Sequence, residues 1–283
     1  MKQMFGTVTI VGLGLLGGSA AMAAKKHGLA SRVIAVGRRS MADAVNAGVV
    51  DEETTNIADA VSRADFVLLC APVETIRMQL REVMTHAKPG ALITDAGSVK
   101  EKLVAEAAQI ESAAHFVGSH PMVGSHVTGW QNGRANFFEG GIVYITPTQM
   151  TNLPAAARVG AFWRRLGAKV VYTDAKRHDY LCALLSHVPH FVAVALMEHL
   201  RKSREDIALI RYLSGQGLRD TTRIAAGSPP MWEEIAVQNH DNIADLLEQY
   251  AHIASDLAAS LRRKDYEAVS RVLAHAANLR ASL

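Results

Sequence analysis

One histidine stands in a short motif that suits chemistry on a bound small molecule. His120 lies in Gly118-Ser119-His120-Pro121-Met122-Val123-Gly124, directly after the strand pattern His115-Phe116-Val117. A histidine titrates near neutral pH and can take up a proton, and small neighbours leave its ring accessible to a ligand. We therefore take His120, at a predicted strand end, as a candidate general base. Taken alone, the motif fits an ordinary loop histidine better.

Two more histidines stand in Ser186-His187-Val188-Pro189-His190. The surrounding stretch Tyr180–Leu200 is evenly apolar and predicts a helix that is buried all round, with a kink and freed carbonyls at Pro189. Histidines three residues apart can ligate zinc, but neither HExxH nor CxxC accompanies them. We therefore expect no metal.

Basic side chains follow in Arg219-Asp220-Thr221-Thr222-Arg223-Ile224-Ala225, on a predicted helical segment. Arg223 has two interpretations. It either pairs with Asp220, three residues earlier on the same helix face, or binds the carboxylate of a substrate in forked geometry.

A glycine motif lies near the start of the chain. The segment Gly12-Leu13-Gly14-Leu15-Leu16-Gly17 matches G-x-G-x-x-G, follows an apolar strand and opens an Ala-rich helix. In this context glycines let a pyrophosphate approach the backbone N–H groups at the helix N-terminus. The cofactor-binding residues predicted here are Gly12, Gly14, Leu15, Leu16 and Gly17.

The end of the second strand bears on which dinucleotide binds. An Asp or Glu at this position holds the ribose 2′-hydroxyl of NAD, but the chain has Gly37-Arg38-Arg39-Ser40 there. Two guanidinium groups suit a 2′-phosphate. We therefore favour NADP, with Arg38, Arg39 and Ser40 as its contacts, and keep NAD as the alternative in which both arginines are solvated surface charges.

Two further strand ends are expected to face the same crevice, because ligands bind at the carboxyl ends of strands in open α/β sheets. Ala71 and Pro72 follow one strand, and Ser98 follows another. Ser98 is a candidate for hydrogen bonding at the site. It is equally a candidate N-cap for the helix that begins near Val99, and the two roles are compatible.

The elements that must position these residues form two domains. Over residues 7–172 short apolar strands alternate with helical patterns such as Glu74–His86, which predicts a Rossmann-like, doubly wound and mostly parallel sheet. After Asp174 the strand signals stop. Asp241–Leu261 carries one apolar stripe at helical spacing, and Ser203 with Asp206 resembles a helix start. We predict a dinucleotide-binding domain over 1–174 and a helical domain over 175–283.

Composition excludes several protein classes. The chain has 283 residues, 49% hydrophobic and 20% charged, which excludes disorder and collagen-like repeats. The net charge of +3 implies no nucleic-acid partner. The two cysteines cannot form a disulfide framework and fit a reducing cytoplasm. Neither a signal peptide nor an uninterrupted apolar span of membrane length is evident, so we expect no membrane.

Together these motifs resemble one enzyme family. GLGLLGGS, DAGSVK, GSHPMVG, SHVPH and RDTTRIA, in this order over residues 12–225, are similar to the prephenate/arogenate dehydrogenases of tyrosine biosynthesis, and Met231-Trp232 also fits. The resemblance implies NAD(P)-dependent oxidative decarboxylation of prephenate to 4-hydroxyphenylpyruvate. The alternative substrate is arogenate, which would give tyrosine, and His190 favours prephenate. The resemblance also implies a helical domain that forms a homodimer.

The resemblance also implies roles for individual residues. His120 would be the catalytic base, with Ser98 hydrogen-bonded to it, and Arg223 would hold the ring carboxylate. The remaining substrate-pocket residues would be Ser186, His187, His190, Asp220 and Trp232.

Three other kinds of protein fit the sequence less well. A β-hydroxyacid-type dehydrogenase needs a catalytic lysine on the interdomain helix, and residues 179–200 contain none. A non-catalytic dinucleotide sensor would need the glycine loop but not His120, Ser98 and Arg223 together. A helical scaffold with a vestigial α/β half is disfavoured by the intact glycine loop. We expect neither a fused chorismate mutase domain nor an ACT-type regulatory domain. Inhibition by tyrosine at the active site stays open.

Overall fold

Eight strands form one twisted sheet in the computed structural model, which describes residues 3–124 and 127–283. The strand order is β3-β2-β1-β4-β5-β6-β7-β8, and all neighbours are parallel except β6 and β7. The strands are β1 (Phe5–Val11), β2 (Ala30–Val36), β3 (Glu52–Thr54), β4 (Phe66–Leu69), β5 (Leu92–Asp95), β6 (His115–Met122), β7 (Ile142–Thr146) and β8 (Lys169–Tyr172). The predicted doubly wound, mostly parallel sheet is confirmed.

Helices cover both faces of this sheet, which explains why its central strands are mostly apolar. One buried cluster includes the rings of Phe5, Phe66 and Phe162, and the other packs Ile76 and Leu80 against the opposite face. The helices of this part are α1 (Leu15–Lys26), α2 (Ala42–Asn46), α3 (Ile57–Ser62), α4 (Val73–His86), α5 (Glu101–Ala107) and α6 (Leu153–Arg165).

The strand order reverses beside β1, which pairs with β2 on one side and β4 on the other. In doubly wound sheets this point opens a crevice at the carboxyl ends of the strands, where ligands bind. The Gly12 N–H donates to the Val36 carbonyl at 2.8 Å, and the Cys70 N–H donates to the Val11 carbonyl at 2.7 Å. These two hydrogen bonds hold the carboxyl ends of β1, β2 and β4 together at this crevice.

Strand β6 changes its pairing partner along its length. Its first residues pair in parallel with β5, up to Thr94 opposite Val117, and residues from Gly118 onward pair antiparallel with β7. His120 lies opposite Tyr144 in that second half. The expected location of His120 after a strand end is therefore corrected. It lies inside β6, although beyond the part of the strand that pairs with β5.

The C-terminal part is helical, as predicted. It comprises α7 (Ala175–Cys182), a π-helical turn (Ala183–His187), α8 (Val188–Lys202), α9 (Ile207–Leu213), α10 (Gln216–Thr222), a 3₁₀ turn (Arg223–Ala226), α11 (Pro229–Gln238), α12 (His240–Arg262) and α13 (Tyr266–Ser282). The π turn ends two residues before Pro189, which has no N–H to donate to the Leu185 carbonyl, and a wide turn accommodates the proline ring.

By its contacts the chain divides into two compact units. The first runs to Cys182 and includes Gly227–Asn239, and the second consists of Ala183–Ala226 and His240–Leu283. The boundary expected near Asp174 therefore differs from this division by one helix, α7, and by the segment that carries α11. The domain limits 1–174 and 175–283 stay a prediction.

Two expectations for the helical part are wrong. Tyr180–Leu200 is not buried all round, since Tyr180, Leu184, Leu185, Val194 and Met197 are exposed in the single chain. A helix does not begin at Ser203, which follows the last residue of α8. The Asp206 side chain instead caps α9 by accepting a hydrogen bond from the Ala208 N–H. Asp206 alone is the start signal, because its carboxylate reaches an otherwise unpaired backbone donor.

The helical stretch Ala175–Lys202 is long and apolar enough to span a membrane by length and composition alone, with a mean hydropathy of 1.7 in its most apolar window, 33% of which is buried. One such helix is weak evidence, because a core helix of a soluble protein has the same composition. The stretch also carries buried polar groups, including His178, Asp179, His187 and His190. The expectation of no membrane partner stays a prediction.

Candidate active site

The glycine motif forms the turn from β1 into α1. Gly12 has φ +96°, and a Cβ there would lie 2.9 Å from the Cys70 carbonyl, while a Cβ at Gly17 would lie 2.2 Å from the Gly12 oxygen. Both positions therefore require glycine. A Cβ at Gly14 would meet no atom within 4 Å. Gly14 thus leaves open space where backbone and ligand can approach closely.

The N-terminus of α1 is suited to an anion. Gly14 is its N-cap residue and supplies no side-chain cap, and the first turn contains no acidic residue. The first-turn amides, which begin at Leu15 and Leu16, carry the positive end of the helix dipole. The loop therefore fits the pyrophosphate of a dinucleotide on its own geometry.

The arginines expected at the end of β2 are exposed. None of the ion pairs of the described residues involves Arg38 or Arg39. The Ser40 hydroxyl donates to the Glu53 carboxylate at 2.7 Å. Sequence inspection of β2 missed this carboxylate, because Glu53 belongs to the neighbouring strand β3. Ser40 is thus already hydrogen-bonded, while both guanidinium groups can take an anionic partner.

The two other strand ends lie at the same edge of the sheet. Ala71 and Pro72 follow β4, and Pro72 is the N-cap residue of α4. Ser98 is half-buried in the turn after β5. It does not cap α5, which begins at Glu101. The cap expected from Ser98 is therefore wrong.

A distant carboxylate caps α5 instead. The Asp179 carboxylate accepts hydrogen bonds from the N–H groups of Lys100 and Glu101, at 2.8 and 2.9 Å. Two backbone donors that the helix itself cannot satisfy are thus paired with one buried anion. The contact also fixes α7 against the turn that carries Ser98.

A buried ion pair lies under that turn. Asp95 and Lys100 are both fully buried, and the lysine ammonium bonds the aspartate carboxylate. The carboxylate also accepts from the N–H groups of Gly97, at 2.9 Å, and Ser119, at 3.0 Å. Because an unpaired buried charge is very costly, these four groups are held in one arrangement. Ser119 immediately precedes His120, so the ion pair fixes the backbone that carries the candidate base.

The His120 side chain is 8% exposed and bonds a second histidine. Its Nδ1 lies 2.9 Å from Nε2 of His178, and Nδ1 of His178 lies 2.7 Å from the Asp179 carboxylate. The imidazole of His178 also meets the edge of the Tyr144 ring, with 5.1 Å between the ring centroids. No hydrogen bond joins His120 to Ser98 in the described part of the chain. The partner of His120 Nδ1 in this structure is His178.

Burial determines the ionisation of this cluster. It lowers the pKa of His178, although the neighbouring Asp179 opposes the shift. Burial raises the pKa of the Cys182 thiol to about 12 and also raises the pKa of Tyr144. His178 and Cys182 are therefore neutral at pH 7.

The cluster also contains potential metal donors. One ligand atom from each of His120, His178 and Cys182 lies within 4.8 Å of the others, and all three residues are buried. Binding a metal there would break the hydrogen bond between the two histidines and require the Cys182 thiol to lose its proton. The hydrogen-bonded arrangement accounts for these side chains, and the expectation of no metal stays a prediction.

The second unit brings together part of the predicted substrate-binding set. His187 and His190 are buried, Ser186 is half-buried, and burial lowers the pKa of His190. His190 hydrogen-bonds the backbone of Ile224, next to Arg223. The structure therefore brings His190 beside the 3₁₀ turn in which Arg223 stands.

The internal pairing considered for Arg223 is not observed. Asp220 accepts a hydrogen bond from Gln216 at 2.7 Å. Arg223 is exposed and belongs to none of the ion pairs found among the described residues. The pairing with Asp220 is therefore excluded, and the Arg223 guanidinium is available to an external anion. Trp232, on α11, is half-buried.

Sequence inspection missed His178, Asp179, Asp95 and Lys100. His178 and Asp179 lie in the polar stretch just before the apolar helix, which contains no recognisable motif. Asp95 and Lys100 belong to the DAGSVK motif, but nothing in their spacing showed that both are buried. A histidine followed by an aspartate shortly after the last strand was the available signal.

A glycine loop at the first turn of a doubly wound sheet, with a buried histidine beyond the neighbouring strand ends, defines a dinucleotide-dependent oxidoreductase. Two family models match the chain. The prephenate dehydrogenase nucleotide-binding domain matches residues 20–172, and the prephenate dehydrogenase dimerization domain matches residues 174–275. The chain belongs to the prephenate dehydrogenase family.

Individual relatives agree with this assignment. The chain is 33% identical to prephenate dehydrogenase of Bacillus subtilis, over 100% of its own length and 77% of the relative. It is also 33% identical to cyclohexadienyl dehydrogenase of Zymomonas mobilis, over 93% of its own length and 90% of the relative. Its fold matches the crystal structure of prephenate dehydrogenase from Aquifex aeolicus in complex with hydroxyphenyl propionate and NAD+, with 32% identity, 98% of each chain and a TM-score of 0.91.

The buried ion pair yields a stability prediction. Lys100→Met removes the ammonium and leaves the Asp95 charge buried with backbone donors only, so we expect the free energy of unfolding to fall by about 3–5 kcal/mol. Urea denaturation followed by circular dichroism measures this change. Lys102→Met, at an exposed lysine of α5, is the matched control and should change stability by about 0.5 kcal/mol or less. Equal effects of the two substitutions would contradict the importance of the pair.

Proposed function

We propose that the protein catalyses the NAD(P)-dependent oxidative decarboxylation of prephenate to 4-hydroxyphenylpyruvate, in tyrosine biosynthesis. The observation that carries the proposal is the buried His120, which stands at the carboxyl edge of a sheet whose first strand ends in a dinucleotide-type glycine loop. Membership of the prephenate dehydrogenase family supports the substrate. So does the similarity, over 98% of each chain, to an enzyme crystallised with hydroxyphenyl propionate and NAD+.

The chemistry of prephenate matches what these side chains can do. One ring carbon carries a hydroxyl and a hydrogen, and the opposite quaternary carbon carries a carboxylate. In the proposed reaction His120 takes the hydroxyl proton while the hydrogen leaves that carbon with its electron pair. The ring carboxylate then departs as carbon dioxide, because its bonding electrons complete an aromatic ring. Bound NAD(P)+ supplies the hydride acceptor. A general base of this kind contributes about 10²–10⁴-fold.

Arg223 is proposed to bind the ring carboxylate. Its exposed guanidinium has no internal ion-pair partner among the described residues, and a forked pair of donors fits a carboxylate. Binding would orient the substrate without taking part in proton transfer. The other proposed substrate contacts are Ser186, His187, His190, Asp220 and Trp232, while Ser98 is proposed as a catalytic residue that assists His120.

Arogenate is the second candidate substrate. It carries the same ring hydroxyl and ring carboxylate, so the proposed roles of His120 and Arg223 are unchanged, and the product would be tyrosine. The 33% identity to a cyclohexadienyl dehydrogenase supports this alternative. His190 favours prephenate.

NADP is proposed as the preferred cofactor, with NAD as the alternative. The support is Arg38 and Arg39 at the end of β2, which are exposed and form no ion pair within residues 3–124 and 127–283. A carboxylate at that position would select NAD. The Glu53 carboxylate lies nearby, but it accepts the Ser40 hydroxyl.

A homodimer through the helical domain is also proposed. The match of residues 174–275 to a dimerization domain supports it, as do exposed apolar side chains such as Ile253, Val272, Leu273 and Leu279 on α12 and α13. A cytoplasmic location is proposed on the free thiols of Cys70 and Cys182.

The proposed activity predicts reduction of NAD(P)+ by two substrates to different extents. Purified protein is supplied with prephenate or arogenate, each with NAD or NADP, and the absorbance of the reduced cofactor is followed. We expect the highest kcat/KM with prephenate and NADP, and 4-hydroxyphenylpyruvate as the product. Absence of turnover in all four combinations would refute the enzyme assignment.

His120→Asn tests the proposed base. The amide keeps a polar side chain of similar size but cannot take the proton, so kcat should fall by about 10²–10⁴-fold. Affinity for NADP, measured by fluorescence titration, should be nearly unchanged because the glycine loop is intact. A variant that loses cofactor binding, or one that keeps its kcat, speaks against the assigned role.

The cofactor proposal predicts a selective loss in Arg38→Ala/Arg39→Ala. Removal of both guanidinium groups should weaken NADP binding about tenfold or more, since charge-assisted hydrogen bonds are worth about 1.5–3 kcal/mol each, while NAD binding changes little. Arg262→Ala/Arg263→Ala, at another exposed consecutive pair, is the matched control and should affect neither. Equal weakening of both dinucleotides by the first variant would disprove 2′-phosphate recognition.

A further inference from the structure

A hydrogen-bonded relay runs from a buried carboxylate to the proposed base. We infer that His178 and Asp179 are positioning residues for His120, which hold its imidazole in the tautomer whose Nε2 takes the substrate proton and stabilise the imidazolium that results. The inference rests on the proposed role of His120 as base. It assigns functions to two residues that lie outside every motif of the sequence analysis.

The tautomers follow from the order of the contacts. Asp179 accepts two backbone N–H bonds, from Lys100 and Glu101, and as a carboxylate it can only accept from His178 Nδ1. With its proton on Nδ1, a neutral His178 presents a lone pair on Nε2. The facing atom, Nδ1 of His120 at 2.9 Å, must therefore carry a proton and donate it. Nε2 of His120 is then the nitrogen that carries a lone pair.

Burial stabilises this arrangement of tautomers. His178 is fully buried and Asp179 is 2% exposed, so water does not compete for either hydrogen bond. The opposite arrangement would bring two lone pairs, on Nδ1 of His120 and Nε2 of His178, to within 2.9 Å. Burial also lowers the pKa of His178, which keeps this ring neutral and able to accept.

The relay also acts on charge. When His120 takes a proton at Nε2, its ring becomes an imidazolium that donates from Nδ1 to His178, and His178 in turn donates to the Asp179 carboxylate. The proton taken from the substrate stays on His120. The negative charge at the end of the relay favours the imidazolium, as the carboxylate does in the Ser-His-Asp triads of hydrolases, although here a second ring lies between.

Other titratable groups face the relay from each packed element. Cys182 of α7 has its sulfur 3.3 Å from His178 Nε2 and 3.7 Å from His120 Nδ1, and burial raises its pKa to about 12, so it stays a neutral thiol. Tyr144 of β7 contacts His178 through its ring edge, and burial raises its pKa. Lys100 and Asp95 form an ion pair with each other. Asp179 itself supplies the carboxylate of the relay, through its contact with His178 Nδ1.

Asp179→Asn is the principal test. The new amide keeps the size of the side chain but has no negative charge, and it offers one acceptor oxygen where the carboxylate accepts from three donors with two. We expect kcat with the preferred substrate and cofactor to fall about 10- to 100-fold, which is less than loss of the base itself. Loss of the negative charge disfavours the imidazolium, so the acidic limb of the kcat–pH profile should move to lower pH.

Nitrogen NMR of the histidine rings reads the tautomer without turnover. His120 should be protonated on Nδ1 in the unaltered protein and should lose this preference in His178→Leu, where the ring nitrogen that faces Nδ1 is removed. His178→Gln and His178→Leu form a second pair, which matters if Asp179→Asn folds poorly because α5 loses part of its cap. The glutamine carbonyl can accept from His120 Nδ1, so His178→Gln should keep at least about tenfold more kcat than His178→Leu.

Asn239→Ala is the matched control. The Asn239 amide donates to the Asp179 backbone carbonyl at 2.8 Å, so this variant disturbs the same residue without touching its carboxylate. It should lower stability but leave the acidic limb in place. An unchanged kcat in Asp179→Asn, a fall in kcat with an unmoved acidic limb, or an equal movement in Asn239→Ala would each overturn the relay. Full activity of His120→Asn would instead refute the proposed base, so the two failures are distinguishable.

Discussion

The fully buried Asp95 carboxylate is the constraint from which the geometry of the site follows. It ends β5, and its charge must be compensated inside the protein because water does not reach it. The ammonium of Lys100 and the N–H groups of Gly97 and Ser119 provide that compensation. One anion therefore fixes the turn after β5 and the backbone of β6 beside His120. Lys100 extends the same network, since its own N–H is held by Asp179, which in turn holds His178.

Much of the fold was predictable because the central strands are covered on both faces. Runs such as Val33–Val36 and Phe66–Leu69 are apolar throughout, as expected for strands that are covered on both faces. The exceptions have physical reasons. Strand β3 consists of Glu52–Thr54, which are polar and half-buried, so no apolar run marks it. The continuation of β6 to Met122 depends on antiparallel pairing with β7, a long-range contact that a local pattern does not contain.

The candidate site was predictable only where a short motif determines the local backbone geometry. The glycine loop does so, since Gly12 and Gly17 occupy positions where a Cβ would collide with backbone. His120 was found as an isolated histidine, but its partner was not, because His178 lies 58 residues further along the chain. The N-cap expected at Ser98 was wrong for the same reason. A carboxylate from α7 satisfies the amides at the start of α5, and local sequence cannot show which distant anion does so.

Tyr180–Leu200 was wrongly predicted to be buried all round because an apolar sequence indicates burial but does not show which neighbour provides it. In the single chain this stretch exposes Leu184 and Leu185 but buries His187 and His190. That distribution is opposite to the burial preferences of these residue types. The proposed dimer would cover the exposed leucines, with the match to a dimerization domain as its support, and the proposed binding roles would account for the buried histidines. Association and substrate binding, as proposed, place different demands on residues of one helical segment, so its apolar sequence does not show which side chains are buried in the single chain.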